Sequence, residues 1–483
     1  MNDKIDALIT AMSNYTNVVT SWTSQTHKLW ITNTPEDVTV KALNTAGVLV
    51  DRVIPNMAKI TQGHLYMGPS TIVVGTAAEL HAAVDSLDGR HITSSVTIEL
   101  SALSYTLTKT LSFNASGCGR GRGIIFTHSQ AVAPTITMPN GVVNAIVIDN
   151  STVILDQSLD IDGVASDYGR AIYIGSGVFN TADGITLTIN KFEQGIVNNN
   201  AIMSIQIINF TDTKYPVRLE YMGTGYIATI TSTNTLTSGA GIRVHNGSYL
   251  YVGSVNISGG DIGVEIHRSH AVFKSIYSGT GKYGVALYNG SSVVIETTAG
   301  ISVGTGTNTH GFVVQYGSSL SVLGLVDFGG ETLLNASYGS TARFADVDAS
   351  IATYGAYVFL STVHIVSLKI SITVDASRPV VSATMGNVYI NELFVRTNKA
   401  IISASSGSII IDALKSVPYL APTIGRPSDN AYLFGLTTYT IQIANFSNIH
   451  IGLYRDNEPN SIVGSQAKNL ITSRGVFTHP AGI

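Results

Sequence analysis

Between residues 241 and 322 one pattern of apolar and polar positions occurs four times: GIRVHNGSYLYV from Gly241, GVEIHRSHAVFK from Gly263, GVALYNGSSVVI from Gly284 and GFVVQYGSSLSV from Gly311, at spacings of 22, 21 and 27 residues. Each segment opens on Gly, alternates apolar and variable residues over one short strand, breaks at a small or polar turn, and resumes with a second apolar run. A fixed internal pattern at a period in the low twenties predicts a solenoid. The strand–turn–strand content of each repeat points to a parallel β-helix. The Leu-x-x-Leu-x-Leu and Asn ladder of leucine-rich repeats is missing from these segments.

Alternation gives each position a direction. Counting the leading Gly as zero, positions one and three hold Ile242 and Val244, Val264 and Ile266, Val285 and Leu287, Phe312 and Val314. All are apolar and are expected to point into the core. Positions two and four hold Arg243 and His245, Glu265 and His267, Ala286 and Tyr288, Val313 and Gln315. They are expected to point outward, because successive side chains of a strand face opposite ways. Adjacent strands lie ~4.8 Å apart, so equivalent residues of successive coils stack into ladders.

The same register extends to starts near Ala145, Ala171, Gly195 and Pro216, and less cleanly to starts near Thr332, Gly355, Pro379, Ala400 and Ala431. Thirteen starts predict about that many coils and a rod of roughly 60 Å. Upstream, TAAELHAAVDSLDG carries Thr76 as an N-cap, Glu79 three residues on, an apolar face of Leu80, Ala83, Val84 and Leu87, and Gly89 at the C-terminus. This predicts a short amphipathic helix that caps the exposed end of the solenoid core. Residues 33–70 read as a small β connector built around VTVKALNTAGVLVDRVI, ending at a Gly68-Pro69 hinge. Residues 3–29 predict a helix, with Ile5, Leu8, Met12, Tyr15, Val19 and Trp22 spaced as an a/d seam. Two readings of that seam stand: an amphipathic helix packed on its own domain, or a short self-associating bundle. The want of adjacent sheet-forming sequence favours the bundle. VPYLAPTIGRPSDN reads as a loop and residues 456–483 as an extended C-terminal tail.

Composition supports strands and turns. Charged residues make up 12%, about half the ~25% usual in soluble domains, and Gly contributes 47 of 483 residues, above the usual ~7%. The net charge is −4 and no basic stripe stands out, which argues against nucleic-acid binding. No apolar run is long enough for a transmembrane helix, so no membrane insertion is expected. The start MNDKIDALITAMSNY lacks the basic-then-apolar order of a signal peptide, and assembly in a cytoplasm is expected. The one cysteine, Cys118, excludes an intrachain disulfide framework and a zinc cluster of cysteines. GCGRGRG at 117–123 opens no βαβ unit and reads as a turn. No cofactor or metal is expected.

Two groups of residues carry candidate chemistry. The outward ladder gathers Arg218, Arg243, Glu265 and Ala286 at position two and Glu220, His245, His267, Tyr288 and Gln315 at position four. Cation, anion, imidazole and phenol on one face suit a glycan, which needs aromatic faces and many hydrogen-bonding groups. The alternative is a cross-strand Arg243–Glu265 pair on a solvated face. The second group is ILDQSLDIDGVASDYG, where Asp160 and Asp162 share a strand face, with Asp156 and Asp167 near in sequence. Glycoside hydrolysis needs two carboxyl groups ~5–9.5 Å apart, and neighbours on one strand face sit ~6.5–7 Å apart. Asp-Gly at 162–163 equally fits a turn. Glu265 with Glu220 is a rival pair, two coils apart. Arg243 beside His245 or His267 has the composition a uronate lyase would need. His270, His310 and His364 stand alone and read as structural.

A helical start, a small connector, the cap TAAELHAAVDSLDG, the segment LNTAGVLVDRVIPNMAKI and Gly/Asn/Ser-rich coils without a signal peptide together resemble bacteriophage tailspikes and tail fibres. The resemblance spans about residues 71–455 at the level of pattern. It implies an all-β fold, a right-handed parallel β-helix of the pectate-lyase-like type. It further implies a homotrimer carried on the virion tail, joined to other tail or baseplate proteins through its N-terminus and binding a host surface polysaccharide. Polysaccharide cleavage and a purely structural virion role are the alternatives. On this reading residues 1–32 form a trimeric bundle for virion attachment, 33–70 the β connector, 71–140 the capping helix and β-helix entrance, 141–455 the β-helix, and 456–483 the tail.

Overall fold

The protein is described by a computed structural model. It describes residues 70–416 apart from 93, 116–122, 166, 235–237, 304–308, 350–351, 353, 371–379 and 396–398, together with strand segments within 38–54 and 438–478. The expected N-terminal helix, Cys118 and the loop expected at 417–430 lie outside the described residues.

The chain forms a right-handed parallel β-solenoid of about 13 turns. One sheet holds 15 short strands, from Leu111–Phe113 through to Asn469–Ser473, each paired in parallel with its equivalents in the neighbouring coils. The opposing sheet of 21 strands carries long strands such as Tyr249–Ser258 and His270–Thr280. In earlier coils this long strand is split: Val178–Thr181 and Thr186–Asn190 both pair with the single strand Ile202–Thr211. The register matches the repeat read from the sequence, with Ile242 opposite Val264, Val264 opposite Val285 and Val285 opposite Phe312. The apolar residues at positions one and three of these four coils are all at 0% exposure.

The leading Gly has a steric cause. A Cβ on Gly241 would lie 2.6 Å from Ile257 Cδ1 and 2.8 Å from the carbonyl oxygen of Gly263. The strand here passes too close to the opposite sheet and to the next coil for a side chain. After each short strand the chain turns through the left-handed region: Asn246, Arg268, Asn289, Tyr316 and Tyr338 all have φ between 49° and 59°, and Gly247, Gly290, Gly317 and Gly339 follow four of them at φ between 73° and 79°. A buried serine ladder then fixes the corner. Ser248, Ser291, Ser318 and Ser340 each donate to the carbonyl three residues back, and the Ser291 amide donates to Ser318 Oγ one coil on.

At the N-terminal end the helix Ala77–Asp85 is capped as its sequence requires: Thr76 Oγ1 accepts from the Glu79 amide and Glu79 Oε2 from the Thr76 amide. Leu80, His81, Ala83 and Val84 are buried. Val38–Leu43 and Leu49–Ile54 form an antiparallel hairpin, within the range read as a β connector. None of the helices among the described residues is long and apolar enough to cross a membrane.

Several coil starts move. Leu334 pairs with Phe312, Val381 with Ala356 and Ile402 with Val381. The starts are therefore Leu333, Val380 and Ile401, each one residue later than Thr332, Pro379 and Ala400. The start expected near Ala431 is replaced by the strand Thr438–Ala444. The range read as a tail contributes strands Asn469–Ser473 and Val476–Thr478, which pair in parallel with Thr438–Ala444 and Asn448–Arg455. Their alternation is too short to stand out from sequence; the sheet edge laid down by the preceding coil supplies the partner.

Candidate functional site

The short-strand sheet brings the outward ladder together. Arg218 pairs in register with Arg243, Arg243 with Glu265, His245 with His267, and His267 with Tyr288. Contacts follow the register. Arg243 Nε donates to Glu265 Oε2 at 2.6 Å, and His267 Nε2 lies 3.0 Å from Glu265 Oε1. Arg218 pairs with Glu220 at 2.6 Å. The rings of His245 and His267 sit 4.7 Å apart, and those of His267 and Tyr288 stack at 4.7 Å with 29° between their planes. Gln315 continues the column, half-buried, opposite Ser337.

This face is drier than an outward strand face is expected to be. Glu265 is only 9% exposed and Ala286 is fully buried. A short side chain in a ladder of long ones is overhung by its neighbours, and the partial desolvation changes the chemistry. Burial, reinforced by His267, Arg243 and Arg218 against the opposing charge of Glu265, lowers the His245 pKa to about 4, so the ring is neutral at physiological pH. Burial works to raise Glu265, but the hydrogen bond from His267 and the charge of Arg243 outweigh it and hold the carboxyl below its ordinary range. Burial, then Tyr283, Glu265 and Tyr316, push the Tyr288 phenol up to about 12, leaving it a neutral donor.

The sequence reading missed three parts of this surface. Tyr215, one residue before the start of its coil, lies under the Arg243 guanidinium at 4.5 Å. A shallow open groove beside Glu220 and His245 is lined by Gly175, Asn199, Asn200, Tyr221, Met222 and Asn246, with Tyr221 and Met222 more than half exposed. Further along the same corner Tyr316 and Tyr338 stack face to face at 4.9 Å, each about half exposed. Tyr221, Met222, Tyr316 and Tyr338 occupy left-handed turn positions, where Asn or Gly is the ordinary choice. A Tyr or Met in such a sequence carries no strand signal, so alternation alone passes over it.

The structure also joins residues for which no metal was expected. Ligand atoms of His245, Glu265 and His267 all lie within 4.8 Å of one another. The spacing of 20 and 22 residues between them in the chain is that of the coil, not of any local metal motif.

Asp160 and Asp162 lie apart from this ladder, on the strand Leu159–Asp162 of the opposing sheet. Both are half-buried, whereas Asp156 and Asp167 are exposed. Burial and the charge of Asp162 raise Asp160, against a hydrogen bond from Thr188 that lowers it. Asp162 accepts from Asn190 Nδ2 at 2.7 Å. Of the carboxylates proposed from sequence, Glu220 and Glu265 are thus tied to arginines, and Asp160 is the one whose pKa burial raises. No protein-family model, curated protein or solved structure matches the chain.

Proposed function

We propose that this protein is a β-solenoid adhesin of the bacteriophage tailspike or tail-fibre type, which binds a host-surface polysaccharide along its short-strand sheet. The observation that carries the reading is the continuous strip from Tyr215 and Arg218 to Tyr288. In a chain with so few charges it concentrates ion-paired arginines, two neighbouring imidazoles, a phenol donor stacked on one of them and an adjoining open groove of asparagines with an exposed Tyr221. An extended polar ligand with apolar faces matches such a strip: ring faces stack on Tyr, and hydroxyls meet Arg, Asn and His. In this reading the protein is a homotrimer on the virion tail, held to tail or baseplate proteins through its N-terminus.

Purified protein tested against a panel of bacterial capsular and O-antigen polysaccharides is expected to retain at least one of them. Tyr221→Ala and Arg243→Ala should each weaken that binding about tenfold while circular dichroism is unchanged. Binding indifferent to both substitutions would remove the strip from consideration.

A second reading, depolymerisation, draws on Asp160 and Asp162. The two carboxyls share one strand face, and burial raises the pKa of Asp160, the direction a general acid for glycoside cleavage requires. Release of reducing ends from a bound polysaccharide, abolished by Asp160→Asn, is its expected signature; binding without release leaves an adhesin.

A further inference from the structure

We propose that His245, Glu265 and His267 form a binding site for a divalent transition-metal ion, zinc being the best match. This goes beyond the adhesin reading and does not depend on it. The three residues come from two adjacent coils, and their ligand atoms lie within 4.8 Å of one another. Tetrahedral zinc with ~2.0–2.2 Å bonds sets its ligands roughly 3.3 Å apart. Glu265 Oε1 and His267 Nε2 are already at 3.0 Å, so closure asks for a small ring movement of His245.

Two independent features prepare the site. His245 Nε2 is buried and has no hydrogen-bond partner, a costly state for a polar atom that a metal bond relieves. Glu265 offers its two oxygens to different tasks: Oε2 takes Arg243 Nε at 2.6 Å, leaving Oε1 toward the histidines. A ligating carboxylate held by an outer partner in this way is the usual support of a metal site. Stacking of Tyr288 on His267 fixes the second imidazole. Two ion pairs flank the cluster, Arg218 with Glu220 and Arg243 with Glu265, each at 2.6 Å, so each of these arginines is paired with a carboxylate. A dication therefore meets no net repulsion, and water or an anionic ligand completes the fourth position. Two imidazoles and one carboxylate oxygen favour zinc, nickel or copper over calcium or magnesium, which require more oxygens.

The test is calorimetric titration of ZnCl2 into metal-free full-length protein carrying Cys118→Ser, which removes its one thiol. One zinc per chain is expected, with no comparable response to CaCl2. His245→Ala and His267→Ala should each weaken binding at least tenfold, since even outer-partner losses cost 10–100-fold. His364→Ala, on the opposing sheet, should leave it unchanged. Should the histidine variants fail to fold by circular dichroism, the visible absorption of the Co2+-loaded parent decides, a tetrahedral band being expected. Absence of stoichiometric zinc binding, absence of that band, or variants that bind zinc as the parent does would each overturn the proposal.

Discussion

Arg243 and Glu265 meet across adjacent coils at 2.6 Å, with side chains only 24% and 11% exposed. Truncating one leaves the other partly buried without its counter-charge. Glu265→Ala is expected to destabilise by about 1–3 kcal/mol, below the cost at a fully buried pair because Arg243 retains some access to water. A double-mutant cycle with Arg243→Ala in urea should return a favourable coupling; additive losses would mean the pair contributes nothing beyond its separate side chains.

The serine ladder gives a sharper stability prediction. The buried Ser291 amide donates to Ser318 Oγ at 3.2 Å, and Ser318 Oγ donates to the Gln315 carbonyl at 2.6 Å. Ser318→Ala removes both and leaves a buried N–H without an acceptor. A loss of about 1–3 kcal/mol is expected, read as a lower urea midpoint. Ser292→Ala, at the partly exposed start of the next strand, should stay within about 0.5 kcal/mol of wild type.

Glycine at the head of each coil is tested by Gly241→Ala. The new methyl would press on Ile257 and on the Gly263 carbonyl oxygen, and the latter is backbone that cannot swing away. Gly281→Ala meets nothing nearer than 3.4 Å. Thermal melting should therefore fall clearly for the first and little for the second; equal effects would refute the steric argument.

Acid sensitivity is expected at the capping helix. Burial, with Lys109 adding and Asp85 opposing, lowers the His81 pKa below its ordinary 6.5, and its Nε2 accepts the Thr108 amide at 3.2 Å. The unfolded chain thus binds a proton that the folded cap refuses. His81 contributes full stability above about pH 6.5 and loses it progressively as pH falls toward the lowered folded value. Glu79 acts in the same direction at lower pH: its capping hydrogen bonds hold it below 4.5, so their contribution is lost as acid protonates it. Amide exchange across 77–87 should accelerate between pH 7.5 and 5.5 relative to the intrinsic rate. His81→Gln keeps an acceptor without a titrating ring, and should flatten that trend.

What the sequence determined is everything that follows from period and alternation. Ile242, Val264, Val285 and Phe312 recur at one-coil spacing, and only a parallel solenoid buries a column so spaced. Thr76 and Glu79 specify their helix start by local chemistry alone. The outward residues were legible as a column for the same reason, since a strand's faces alternate whatever surrounds it. What those residues do was decided by the tertiary structure. His245 and Glu265 are 20 residues apart, and no local signal says that one imidazole nitrogen is buried without a hydrogen-bond partner or that one carboxylate is shared between Arg243 and His267. Nor does it say that Asp160 and Glu265 stand on different sheets, that Tyr221 flanks a groove, or that 469–478 adds strands to the rod. Those facts depend on how many coils stack, where each corner turns, and how far long neighbours overhang short ones. Burial and pairing energies are properties of that packed ladder, so they exist only once the coils lie side by side.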